Sequence, residues 1–170
     1  MDITNWFFGL VIVFAIAAVV LLLTRKQRNK EQSGTLSVKD KSLSQQLQLQ
    51  AYERLTLLVD RIALPNLISR VNQPGISARD MQFLLNQNIK QEFEHNITQQ
   101  VYVSADAWNS VKNLKEQNQL VINQFANALP ANATGLDLNK LLLEYVMNDK
   151  RGTMHELVSE VLSYEAKAVL

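Results

Sequence analysis

Glu92 and His95 stand as Glu-x-x-His, the spacing by which di-iron helix bundles present two ligands on one helix face. Such a centre needs a second Glu-x-x-His and two further glutamates. The other histidine, His155, has Gly152 three residues before it, so the second half is missing. By helical angle Glu92 falls within an apolar stripe running from Met81 to Ile97, with His95 at its edge. A carboxylate placed there is expected to be tied to an arginine or a backbone donor, because burying an unpaired charge is costly. Neither metal nor cofactor is expected.

Nucleophilic chemistry finds no better footing. The chain has no cysteine and no Gly-x-Ser-x-Gly, and its five glycines (Gly9, Gly34, Gly75, Gly135, Gly152) each stand alone, so no phosphate-cradling loop forms. Tyr102 and Trp108 are of the types that anchor protein partners, although aromatic residues at helical spacing are usually core. Asn118 interrupts an apolar stripe. It could set the register of a coiled coil, or sit at the core edge with its hydrogen bonds satisfied. No catalytic activity is expected.

The elements that must position these residues are helices. Leu47, Ala51, Leu55, Leu58 and Ile62 form one helix face, flanked by Tyr52 and Val59 and stopped or interrupted at Pro65. Gln73-Pro74-Gly75 is a turn by its chemistry. Ser77 then caps a helix lined by Met81, Leu85, Ile89, Phe93 and Ile97, with Asp80 in the acidic half of a capping box. Val101-Tyr102-Val103 reads as a short β-prone interruption. Ser104 caps the longest stripe: Trp108, Val111, Leu114, Val121, Ile122, Phe125 and Leu129, ended by Pro130. A short helix from Leu136 to Val146 follows, capped by Asp137. Thr153 to Glu156 opens the last helix, whose apolar positions are Leu157, Val158, Val161 and Leu162. These are five helices with no alternating strand pair. Residues 43–170 are therefore expected to form an all-α domain, with no internal repeat at a fixed period. The many Asn and Gln residues, interleaved with apolar ones, read as solvated helix faces.

Ahead of that domain, Trp6 to Leu23 is an unbroken uncharged run of eighteen residues, and Arg25, Lys26, Arg28 and Lys30 follow it at once. As a helix the run spans about 27 Å, close to the hydrocarbon depth of a bilayer. A cleaved signal peptide would carry its charge before the run and a small-residue site after it. A fully buried core helix would need a larger body to cover it. The expectation is a single transmembrane helix over 1–24 and a polar, basic linker over 25–42. The four cations are the topology signal: the N-terminus outside and the domain cytoplasmic. Gly9, Ala15, Ala17 and Ala18 would let the anchor pack closely against other helices.

Charge separates the parts. Residues 1–42 carry six Lys/Arg against three Asp/Glu, whereas 43–170 carry eleven against thirteen. The folded part lacks the basic surplus that nucleic acid demands, so the expected partners are a lipid bilayer and a protein or a second copy.

Three segments carry a family resemblance: Ala51 to Leu55 (AYERL), Gln91 to Ser104 (QEFEHNITQQVYVS) and Leu129 to Gly135 (LPANATG). Together they resemble an uncharacterised family of membrane-anchored bacterial proteins of Bacteroidetes type. The resemblance covers most of 43–144 and none of Met147 to Leu170. It implies a bacterial inner-membrane location and assigns no activity. It makes Glu92 to Ser104 the stretch to mutate first. The candidate interaction residues read from the chain are Glu92, His95, Tyr102 and Trp108. Three functions stay open: a membrane-tethered interaction or scaffold module, an accessory subunit of a larger inner-membrane complex, and an enzyme or metal protein.

Overall fold

The computed structural model describes residues 41–148 and 154–170. The expected membrane helix, its basic flank Arg25, Lys26, Arg28 and Lys30, and the expected cap at Thr153 lie outside the described residues. Among the described residues no helix is long and apolar enough to cross a membrane. The chain divides into two units, Met1–Ser44 and Gln45–Leu170.

The described residues are all-helical, with six α-helices and no strand: α1 (41–62), α2 (Leu64–Val71), α3 (Ala78–His95), α4 (Ala105–Ala128), α5 (Gly135–Asn148) and α6 (Met154–Val169). A 3-10 turn, Ile97–Val101, joins α3 to α4. The expected five helices become six because Pro65 does two things. It ends α1, having no N–H to give, and its fixed φ suits the first turn of α2, where it sits second.

Three carbonyls at the broken end of α1 are met by side chains. Asn66 Nδ2 donates to Asp60 O (3.1 Å), Arg70 Nη2 to Arg61 O (3.2 Å) and Asn118 Nδ2 to Ile62 O (2.7 Å). Arg61 O is the acceptor that the residue at Pro65 would have satisfied in an unbroken helix. Asn118 is therefore a buried amide that caps another helix across the core.

One core joins all six helices. Leu55, Leu58 and Ile62 of α1, Leu67 of α2, Met81, Leu85 and Ile89 of α3, Leu114 and Ile122 of α4, Leu138 and Leu142 of α5 and Leu162 of α6 are fully buried. Helix α3 packs against α4 and α5, and α4 packs against α6. Several expected core positions lie elsewhere. Ile97 falls beyond α3 and is exposed, as are Leu157 and Val161, because α6 turns only Val158 and Leu162 fully inward. The β-prone Val101-Tyr102-Val103 has no strand to pair with and closes the 3-10 turn instead.

Not every amide lies on a solvated face. Gln82 Nε2 and Asn86 Nδ2 of α3 both donate to Asn123 Oδ1 of α4, each at 2.8 Å. Arg79 Nη1 reaches Asn127 Oδ1 at 2.8 Å along the same seam.

Two helix starts are zipped together. Ser77 accepts from the Asp80 N–H, as expected of its cap. At α5 the cap is Thr134 rather than Asp137. Asp137 Oδ2 receives the Thr134 N–H (2.9 Å) and hydroxyl (2.7 Å), and these bonds hold its carboxyl below the usual carboxylate range. Ser77 and Thr134 form an antiparallel bridge through Ala78 N to Ala133 O and Gly135 N to Ile76 O, both 2.9 Å. Helix α2 with α3 and helix α4 with α5 thus make two helix–loop–helix units joined at their loops. Backbone hydrogen bonds tie the two loops together.

Gly135 is what lets the units close. A Cβ there would meet Met81 Cβ at 3.1 Å and Ile76 Cγ1 at 3.2 Å. Gly135→Val is expected to lose about 1–3 kcal/mol by overpacking, with Gly135→Ala nearer the lower end. Urea melts of the two variants check this. Equal stability of Gly135→Val and wild type would show that α3 and α5 separate freely.

Candidate functional site

Of the candidate residues, Glu92 and His95 line a groove of about 660 Å³ between α1 and α3, with Arg54, Leu57, Arg61 and Gln91. Helix α1 presents Arg54, Leu57 and Arg61 at i, i+3 and i+7, one stripe on the face away from the core. Helix α3 supplies Gln91, Glu92 and His95 from its last turn. Asn96, whose Nδ2 donates back to Glu92 O at 2.9 Å, closes the end.

Glu92 is the electrostatic centre. Its Oε1 takes Arg61 Nη2 at 2.6 Å and Nε at 2.7 Å, and Arg70 Nη1 at 3.1 Å. The Glu92 side chain is 16 % exposed, against 44 % for Arg61 and 31 % for Arg70. The hydrogen bond to Glu92, and then its charge, push the Arg61 pKa further up. One carboxylate thus joins α1, α2 and α3 through two guanidinium groups that themselves face water. The groove lining thus holds two arginines, Arg61 and Arg54, the latter without an ion pair to another described residue, and one carboxylate, which Arg70 reaches from outside the lining.

The Glu92 Oε1 is already taken by two arginines. His95 is exposed and brings no second acid with it. Among the described residues no group of three His, Cys, Asp or Glu could hold a metal ion. What the groove can do is receive: guanidinium groups for carboxylates, and the side chain of Leu57, 57 % exposed, for an apolar contact.

Tyr102 and Trp108 lie apart from the lining of this groove. Tyr102 is exposed just after the 3-10 turn. Trp108, half-buried, stacks on Phe93 with ring centroids 5.1 Å apart, and Lys115 Nζ lies 4.9 Å from the other ring partner, Phe93. Trp108 thus packs across the α3–α4 contact. No motif in the sequence singles out the groove arginines. Their only signal is spacing: Arg54, Leu57 and Arg61 repeat at helical intervals on the polar side of α1.

Residues 1–169 match a family described as a family of unknown function (DUF7935). The chain belongs to that family. No curated protein matches the chain, and no solved structure matches it. Membership brings no activity with it.

A second polar junction steadies the far side of α1. Tyr52 Oη donates to Glu165 Oε2 of α6 at 2.8 Å and accepts the Ser104 N–H, at the start of α4, at 3.4 Å. Burial first, and then the bond to Glu165, raise the Tyr52 pKa above 10.0. Because the folded value is the higher one, this stabilisation is full below the unfolded value near 10 and is lost as pH rises through the folded value. Tyr52→Phe is expected to cost about 1 kcal/mol at neutral pH and to flatten the alkaline fall in stability. Chemical melts from pH 8 to 11 read both effects. An unchanged alkaline slope would assign the fall to another group.

Proposed function

We propose that this chain is a membrane-tethered helical interaction module without catalysis of its own. In this reading residues 1–24 are a single-pass anchor in a bacterial inner membrane and 25–42 a basic linker. The helical domain then lies on the cytoplasmic side and holds a protein partner in the α1–α3 groove. The eighteen-residue apolar run and the four cations after it support the tether.

The observation that carries the interaction is Leu57, largely exposed between Arg54 and Arg61 on a helix face pinned by Glu92. Exposed leucine flanked by charge on a rigid surface suits a partner segment with an apolar side chain beside carboxylates.

Affinity purification of the full-length protein from its native membrane, beside the double variant Arg54→Glu/Leu57→Ser, tests the reading. A partner held by wild type and lost from the folded variant supports it. A large stable complex that ignores the variant would make the chain an accessory subunit held through its anchor. Digestion of the domain by protease added outside intact spheroplasts would overturn the cytoplasmic placement.

A further inference from the structure

Helix α6 has two apolar stripes, and the bundle uses one. Val158 and Leu162 face the core, while Leu157 (60 % exposed), Val161, Tyr164 (78 %) and Ala168 form a second stripe in water. Their spacing of four, three and four is the alternation of a coiled-coil seam, in the order d, a, d, a. Glu160 and Lys167 then occupy the two g positions on the solvent side of that seam. Both are exposed, and neither makes an ion pair with another described residue. On the bundle side, Glu165 is held by Tyr52.

We propose that this face binds a second copy of the chain, with the two α6 helices antiparallel. The charges choose both the partner and its direction. In an antiparallel pair Val161 meets the partner's Tyr164 and Leu157 meets the partner's Ala168. In that register each Glu160 lies beside the partner's Lys167, giving two opposite-charge contacts across one two-fold axis. A parallel pair would instead set Glu160 against the partner's Glu165, two carboxylates with no cation between them. The surface lies on α6 and is separate from the α1–α3 groove, so it stands whether or not that groove has a partner.

Reciprocal charge reversal in the full-length protein, purified in mild detergent and followed by sedimentation, tests the proposal. Glu160→Lys and Lys167→Glu each place like charges in both contacts and should weaken self-association about tenfold. The double variant Glu160→Lys/Lys167→Glu should restore it. The two single variants, mixed, should pair with each other in preference to themselves, because both contacts become opposite in sign. The chain has no cysteine of its own, so orientation reads cleanly by disulfide trapping. Chains with Val161→Cys should cross-link to chains with Tyr164→Cys faster than either links to itself. A protein that stays monomeric at every concentration overturns the proposal. So does a dimer indifferent to the charge reversals and to Leu157→Asp, or one in which a different protein occupies the face.

Discussion

Replacing Asn118 by leucine should cost the domain about 2–3 kcal/mol, although leucine is apolar, a good helix former and similar in size. The amide is buried on α4 and its Nδ2 donates to Ile62 O at 2.7 Å, across 56 residues of sequence. That carbonyl belongs to the last turn of α1, which Pro65 cuts from its continuation. Leucine would seal a carbonyl in the core with no donor, and an orphaned buried acceptor costs about 1–3 kcal/mol. The slightly bulkier, differently shaped side chain adds strain in a closed site. Against a native stability of about 5–15 kcal/mol this is a large fraction. Urea denaturation of Asn118→Leu and of Asn66→Ala gives the comparison. Asn66 meets the neighbouring carbonyl of Asp60 at the exposed surface, where water can replace it, so its loss should cost well under half as much. A stabilised Asn118→Leu would mean that α1 does not end where its carbonyls show.

Much of this fold was legible because helices advertise themselves locally. Ser77 with Asp80, and Ser104 before Ala105, cap helices at the residues their types indicate, and the spacing of Ala51, Leu55, Leu58 and Ile62 marks α1's inner face, although Leu47 of the same stripe is exposed. Tertiary choices were less legible. The stripe on α4 puts Phe125 near its middle, yet Phe125 is half-buried against Tyr145 at 5.7 Å, and the small Ala126 takes the inward position. After Ile122 a helix offers two residues to a facing surface, and where backbones come close the smaller one goes in. The Ser77–Thr134 bridge was hidden for a related reason: each cap is visible alone, but nothing local says that two caps meet.

At the groove the same division holds. Glu92 within an apolar stripe implies a cation nearby, and Arg61 and Arg70 supply it. Which arginines do so depends on how α1, α2 and α3 pack, information spread over 31 residues of chain. His95 shares the groove with Glu92 because three residues of helix put them on one face. Tyr102 and Trp108 stay out of the groove lining, although Trp108 packs on Phe93, the neighbour of Glu92.

Leu85→Ala should cost about 3–4 kcal/mol, and Phe83→Ala, two residues away on α3, under 1 kcal/mol. Side-chain size alone predicts the reverse. Leu85 has no exposed surface and sits where α3 meets the rest of the core, whereas Phe83 is 65 % exposed. Truncating a buried leucine removes its transfer free energy and leaves a cavity that close-packed neighbours cannot fill. Truncating a ring already in water removes mostly contacts with solvent. Two positions along a helix differ by about 200° of rotation, so no orientation of α3 buries both. The pair of variants, measured by chemical denaturation, therefore reads the rotation of α3 directly, and with it the side on which Glu92 must emerge. Equal losses would place Phe83 against a surface, and a larger loss at Phe83 than at Leu85 would turn α3 over and remove Glu92 from the groove.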